Sequence, residues 1–411
     1  MRRAVAAWLA WDAGAGAFNT IVSTFVIATY YVRAVAPDPT AGATAWAWMQ
    51  ALAGLVIALL AVPFGALADR GRRRLLLGAG SAVAGAATLA LWWVRPSPGS
   101  SPLALGLAGT ATVAFELAFV AYNAMLPSLA PPERRGRLSM LGWGMGYVGG
   151  LLSMGLCLVL FLFPHPPLWG LDAAAAEPVR ACAVLAGAWF LLLSWPAAVW
   201  GPESAGGRLP LGEAWRDALR RGHLRLYLLA RILTIDGLTT LFAFGGIYAA
   251  AAIGLGQQGV LLFGIALNVS AGLGALAVST VEDRIGAQAT AIIATLALAV
   301  FGAAILVVRN HAAFWALGLA LGLFVGPAQA ASRSLMAAMA PPEKRAAWFG
   351  LFSLSGRVTG FAGPAALGAV TAATGSLRLG MATIVVFLLL GAALLAALRL
   401  PAPDGGAPRD A

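Results

Sequence analysis

The same short basic turn occurs twice in this chain. Leu129-Ala-Pro-Pro-Glu-Arg-Arg135 returns as Met339-Ala-Pro-Pro-Glu-Lys-Arg345, and each copy is wedged between two long apolar segments. Other landmarks recur in the same order: Asp12 with Phe18 against Asp236 with Phe242, and Asp69-Arg70 against Asp283-Arg284. A duplication on this scale points to two parallel copies of one helical bundle, and it puts any substrate path between them.

The bundles belong in a membrane. Of the 411 residues, 60% are hydrophobic and only 10% charged, and the mean hydropathy is +0.84, which leaves too little polar surface to clothe a water-soluble fold. The net charge of +11 would suit nucleic acid, but the basic residues come as short clusters between apolar runs with no interleaved aromatics, so no nucleic-acid partner is expected. Cys157 and Cys182 fall in successive apolar segments, where packing is their default role. His165, His223 and His311 are scattered at segment edges and give no metal-ligand spacing. No cofactor and no metal is implied. Arg2 and Arg3 precede an apolar run without a small-residue cleavage site, which reads as a retained first span.

Apolar runs of about 20 residues predict an all-α membrane protein with twelve transmembrane helices in two pseudo-symmetric six-helix bundles. The spans run over 5–33, 43–68, 74–94, 102–129, 137–163, 180–200, 226–252, 257–280, 288–308, 312–339, 346–372 and 378–399. The turns after the second, fourth and sixth spans hold Arg70, Arg72, Arg73 and Arg74, then Arg134, Arg135 and Arg137, then Arg208, Arg216, Arg220 and Arg221. Opposite turns hold mostly single arginines such as Arg33, Arg95, Arg309 and Arg378. That asymmetry puts both termini in the cytoplasm of a multi-pass protein of the cell membrane, expected to be a bacterial inner membrane. The organisation is an N-terminal bundle over 1–200, a cytoplasmic linker over 201–224 with Pro202 and Pro210, and a C-terminal bundle over 225–411. The linker portion from Gly212 to Arg220 is amphipathic and suits the membrane surface.

The first arginine-rich turn reads Gly65-Ala-Leu-Ala-Asp69-Arg70-Gly71-Arg72-Arg73-Arg74. Gly65 permits close helix contact, Asp69 can sit against a neighbouring helix N-terminus, where the dipole favours an anion by about 0.3–1 kcal/mol, and the arginines can anchor to carboxylates and lipid phosphates. A plain positive-inside turn would explain the arginines but neither Asp69 nor the glycine. In the second half Ser279-Thr-Val-Glu282-Asp283-Arg284-Ile-Gly286 keeps the Asp-Arg pair and a following glycine but loses the arginine cluster. A conformational latch of Gly65, Asp69, Arg70, Arg72, Arg73, Asp283 and Arg284 is therefore expected, stronger on the first half. Gly144-Met-Gly146-Tyr-Val-Gly149 spells a dinucleotide fingerprint, yet no strand precedes it and it lies inside a span, where small residues serve helix packing.

Asp12, Asn19, Glu116, Tyr122, Asn123, Tyr147, Asp236, Asn268, Gln329, Arg333 and Arg357 all lie within spans. A charge at mid-helix costs about 2.5–3.5 kcal/mol on insertion scales, so the charged members face a cavity or one another. Glu116 and Asn123, seven residues apart, share a stripe of the fourth span, and Gln329 and Arg333 share a face of the tenth. The plain alternative is a set of static ion pairs that fix helix register.

The turn at Asp69 resembles the signature turn of the major facilitator superfamily. A narrower likeness is carried by Phe119-Val-Ala-Tyr122-Asn123-Ala-Met-Leu-Pro127, Gly146-Tyr147-Val-Gly149-Gly150, Gln329-Ala-Ala-Ser332-Arg333-Ser334, Trp348-Phe349-Gly350-Leu351 and Ser355-Gly356-Arg357-Val-Thr359-Gly360-Phe361-Ala-Gly363-Pro364. These segments resemble the vacuole effluxer-like branch, which includes fungal autophagy-related vacuolar amino-acid exporters and bacterial relatives, and the likeness covers nearly the whole chain. The superfamily is itself a standard case of parallel repeats, so that architecture is recognised through the resemblance. The resemblance implies that the first, fourth, seventh and tenth helices line a central path, and Asp12, Glu116, Asp236 and Arg333 fall on those four. The chain departs from the branch at Ala13 to Ala17 after the first-span aspartate and at Ile235 before Asp236, which implies a smaller, less polar site. The fifth span also lacks the antiporter-type glycine-proline element, since Gly142 to Gly150 contains no proline.

The resulting expectation is a secondary transporter, not an enzyme, working by alternating access and exporting a small polar or zwitterionic metabolite such as an amino acid, with proton coupling. Arg333 and Arg357 would pair the anionic part of the substrate, and Glu116, Asp12 or Asp236 the cationic part. Tyr122, Asn123, Tyr147, Asn268 and Gln329 complete the expected pathway. Glu116 and Arg357 are expected to line one aqueous cavity. Partners would be the small molecule, protons and membrane lipids, with the chain a monomer. Hydrophobic drug or lipid efflux is the rival transporter reading, and a non-transporting membrane receptor the rival of another class. The topology makes its own prediction. A cysteine in place of Asp172 is modified by an impermeant reagent from outside, whereas one in place of Glu213 reacts only after permeabilisation, and labelling of position 213 in intact cells would invert the topology.

Overall fold

A computed structural model of the chain describes residues 2–203, 213–251, 253–255, 257–356, 360 and 362–400, so Arg208, Pro210, Gly212 and Arg357 lie outside the described residues. The helices are α1 (Arg2–Ala17, continued by wider turns and a short helix to Val35), α2 (Pro39–Ala68), α3 (Arg73–Ala90), α4 (Ser101–Leu129), α5 (Arg135–Cys157), α6 (Glu177–Trp200), α7 (Glu213–Arg220), α8 (Gly222–Ala251), α9 (Gln257–Ile285), α10 (Ala287–Val307), α11 (His311–Met339), α12 (Arg345–Ser355), α13 (Ala362–Thr374) and α14 (Leu377–Ala397). Among the described residues, eleven helical segments are long and apolar enough to cross a membrane.

Local chemistry explains several helix ends. Asp38 caps α2 by accepting the Ala41 N–H at 2.9 Å, with Pro39 at the first helical position. Asn310 caps α11 and Ser376 caps α14. After α2 and α9 the chain reverses through Gly71 and Gly286, at φ +83° and +85°, a region in which a side chain would be strained. The eleventh span corrects the expectation of one helix over 346–372. It consists of α12 and α13, and α12 ends at Gly356, whose N–H bonds three residues back to Ser353 as the poor helix former closes the last turn.

The duplication governs the packing. α1 lies against α6 as α8 lies against α14, and α3 against α4 as α10 against α11. Between the two sets, α2 runs along α12 and α5 along α9, which are counterparts in the repeat. Close approach of α2 and α12 depends on a glycine from each. A side chain at Gly65 would run into the backbone of Ala346, and one at Gly350 into that of Ala61 and Val62. Gly149 likewise seats α5 against the backbone of Ala13 in α1, and Gly16 of α1 against that of Gly146, so glycines of that helix serve packing.

The linker helix α7 docks on the start of α12. Asp217 accepts from Lys344 at 3.0 Å, the Trp348 indole at 3.2 Å and Arg221 at 3.0 Å. Burial pushes the Asp217 carboxyl up, but these donors outweigh it and hold the group below the usual carboxylate range. Substituting Gly65→Val, which forces α2 away from α12, should destabilise the protein by about 1–3 kcal/mol, read as a lower thermal unfolding midpoint; an unchanged midpoint would contradict the tight seam.

Candidate functional site

α1, α4, α5 and α11 converge on one buried cluster. Arg333 donates from Nη1 to Asp12 Oδ2 at 3.2 Å, from Nε to Ser139 Oγ at 3.0 Å and from Nη2 to the Ser139 carbonyl at 2.5 Å. Tyr122 donates its hydroxyl to the same Asp12 oxygen at 2.5 Å, and Ser139 Oγ donates to the Ala330 carbonyl at 2.8 Å. Arg333 is 1% exposed and Asp12 6%. A pair this deep is tolerable because Tyr122 and Ser139 add hydrogen bonds to its two members.

The surroundings fix each member. Trp8 donates to the Tyr122 carbonyl and stacks on its ring at 4.6 Å, while Trp11 stacks on the same ring at 4.2 Å and donates to Ser81. The Arg333 guanidinium also lies 4.9 Å from the Trp8 ring. Gly142 leaves the space that Asp12 and Arg333 occupy, since a side chain there would meet both. Asp12 and Tyr122 come from one half and Arg333 from the other, so the cluster bridges the seam.

Below it, toward the proline-containing turns, the repeat supplies two helix caps. Asp69 accepts from the backbone of Ala346 at 3.0 Å and Ala347 at 2.9 Å, at the first turn of α12, and pairs with Arg73 at 3.0 Å. Asp283 accepts from the backbone of Arg137, in the first turn of α5, at 2.9 Å. Asp69 is 1% exposed and accepts two backbone N–H groups, whereas Asp283 is half-buried and accepts one. The arginine in the cap is Arg73, buried with Asp69, while Arg70, Arg72 and Arg284 are exposed.

The remaining expected residues are divided. Tyr147 accepts from Gln329 at 3.5 Å across the seam. Glu116 is half-buried on α4 and within electrostatic reach of Arg231 on α8. Asp236 is buried and partnered. Asn268 turns its amide back to the Gly264 carbonyl of its own helix at 2.9 Å. Asn123 is fully buried with neither polar atom hydrogen-bonded among the described residues. Three residues escape the sequence reading. Ser139 carries no distinguishing signal, Glu282 stands in the second-half latch turn beside the Asp283-Arg284 pair that drew the reading, and Arg231 lies close to the start of the span expected over 226–252. Glu282 is 2% exposed, its carboxyl seated where a Gly136 side chain would be.

Hydrogen bonds joining the halves between described residues involve Asp12, Asp69, Ser128, Arg137, Ser139 and Tyr147 on one side, and Asp283, Gln329, Ala330, Arg333, Arg345, Ala346 and Ala347 on the other. These residues cluster from mid-helix toward the proline-containing turns, so that end is the closed one. Asp69→Asn should weaken the closure by about 1–3 kcal/mol, seen as a lower unfolding midpoint with membrane insertion intact; a midpoint equal to wild type would remove the cap from the account.

The family model described as vacuole effluxer, Atg22-like, matches residues 41–402. The uncharacterized MFS-type transporter YxiO of Bacillus subtilis is 22% identical over 403 residues, covering 95% of this chain and 93% of that protein. Autophagy-related protein 22-1 of Aspergillus niger is 25% identical over 287 residues, covering 62% of this chain, and the match takes in 45% of the fungal protein. Among solved structures, the major facilitator transporter FucP in its outward conformation superposes with a TM-score of 0.78 at 12% identity, covering 97% of this chain and 98% of that one. The human organic anion transporter MFSD10 gives 0.74 at 18% identity, covering 96% and 99%.

Proposed function

The chain belongs to the Atg22-like vacuole effluxer family of major facilitator transporters, and from that membership we propose that it exports a small polar or zwitterionic metabolite, an amino acid being the first candidate, by rocking its two halves about a midplane site. The observation that carries this reading is the closed end. Asp12 and Arg333 meet across the seam with Asp69 capping α12 beneath them, an arrangement that rocking must break and remake. With the arginine-rich turns in the cytoplasm, a bacterial inner membrane as the site and a monomer as the working unit, this arrangement is the outward-facing state. Asp12 loses Arg333 whenever the closed end opens, and it is the carboxylate proposed to carry a coupling proton.

Arg333 serves the gate in this state, which leaves Glu116 and Arg231, one from each half and in electrostatic reach of each other, to meet the substrate. Aromatic residues that would favour a hydrophobic substrate are used in packing: Trp8 and Trp11 hold Tyr122 in the gate, and Phe18, Phe115 and Phe190 pack on one another in the first half. Purified full-length protein in proteoliposomes should exchange amino acids. Asp12→Asn should slow exchange more than about tenfold, equivalent to about 1.4 kcal/mol in the barrier, and abolish its pH dependence. Wild-type exchange by that variant would remove Asp12 from the cycle, and binding without flux in the wild type would make the protein a receptor.

A further inference from the structure

Arg231 is fixed in place but only partly used. Its Nε donates to the Phe352 carbonyl at 3.1 Å, its Nη1 donates to Ser332 Oγ at 3.4 Å, and its guanidinium carbon lies 3.3 Å from the centre of the Phe352 ring. Tyr227 supports the same serine, donating to the Ser332 carbonyl at 2.7 Å and lying 3.0 Å from its hydroxyl. Two of the five N–H donors of a guanidinium are taken in this way, and the others find no acceptor among the described residues. Arg333, the sequence neighbour of that serine, is the contrasting case, with a hydrogen bond from each of Nε, Nη1 and Nη2, three of its five N–H groups.

The position suits an incoming anion. Arg231 comes from the second half, and Glu116 of the first half acts on it electrostatically without a hydrogen bond joining them. An arginine held by a carbonyl, a hydroxyl and an aromatic face is already oriented, so a planar anion meets a prepared fork and little side-chain freedom remains to be lost. Carboxylates match that fork with two parallel hydrogen bonds.

We propose that Arg231 grips the carboxylate of the transported molecule and so sets a preference for an acid over its amide. This assignment rests on the transport reading above and deepens it. Lysine cannot replace Arg231, because an ammonium keeps the charge but offers no planar pair of donors.

The test uses the purified full-length chain, with the proteinogenic amino acids and their α-amides as probes, read by thermal unfolding because a ligand of the folded state raises the midpoint. At least one acid should raise the midpoint of the wild type while its amide does not. Arg231→Lys and Arg231→Gln should each weaken that acid's binding tenfold or more. Equal protection by acid and amide, full protection of either folded variant, or failure of every acid to protect the wild type would overturn the assignment. If a variant does not fold, the comparison of acid with amide in the wild type still decides. Counterflow of a neutral solute by wild-type proteoliposomes, in the face of any such failure, would leave the transport reading standing and remove only the role of Arg231.

Discussion

A guanidinium and a carboxylate meet 3.2 Å apart at the seam between Asp12 and Arg333, and neither half of the molecule could carry its charge through a membrane alone. Each would cost about 2.5–3.5 kcal/mol on insertion scales. Brought together, with Tyr122 on the carboxylate and Ser139 on the guanidinium, they satisfy one another. Such a pair contributes little net stability against an apolar alternative of the same shape. What it supplies is a preference between arrangements: intact when the end is shut, and in need of water or new partners when it opens.

Around that pair the closed end is built from repeated parts used unequally. The aspartate at the end of α2 caps α12, and its counterpart at the end of α9 caps α5. The first cap is buried and reinforced by Arg73, and the second is partly open to solvent. The start of α12 is also held from its other side by Asp217 of the linker helix. One hydrophobic cluster runs from the first half through this end into α11 and α12, while a second lies within the other half. Apolar packing and polar capping thus reinforce each other at one end of the molecule.

The architecture was largely legible because lipid imposes it. Apolar length, arginine asymmetry and a repeated turn leave few folds open, and Asp69 with Gly65 pointed to a capped, tightly packed seam before any coordinates. The break of the eleventh span was harder to read, since 346–372 is apolar throughout and glycine is common in membrane helices. Within the site, Asp12, Tyr122 and Arg333 stood out because charged and polar groups in a span demand partners. Their pairing did not, because it depends on the rotation of α1 against α11. Ser139 carries no excess of charge to announce it, and Arg231 stands so near the start of the span expected over 226–252 that its position alone does not mark it as a site residue. Arg357 lies outside the described residues, and Arg231 is the described cation within reach of Glu116.

The central claim is that the Asp12–Arg333 pair holds one end shut while the other stands open. Spin labels on the exposed turns at Glu133 and Glu343 report the closed end, and labels at Asp38 and Asn310 report the opposite end. Pulsed electron-paramagnetic distance measurements in lipid, with and without Arg333→Gln, test the claim directly. Releasing the pair should lengthen the Glu133 to Glu343 distance and shorten that from Asp38 to Asn310. Distances unchanged at both ends, or movement at the turn end alone, would contradict it.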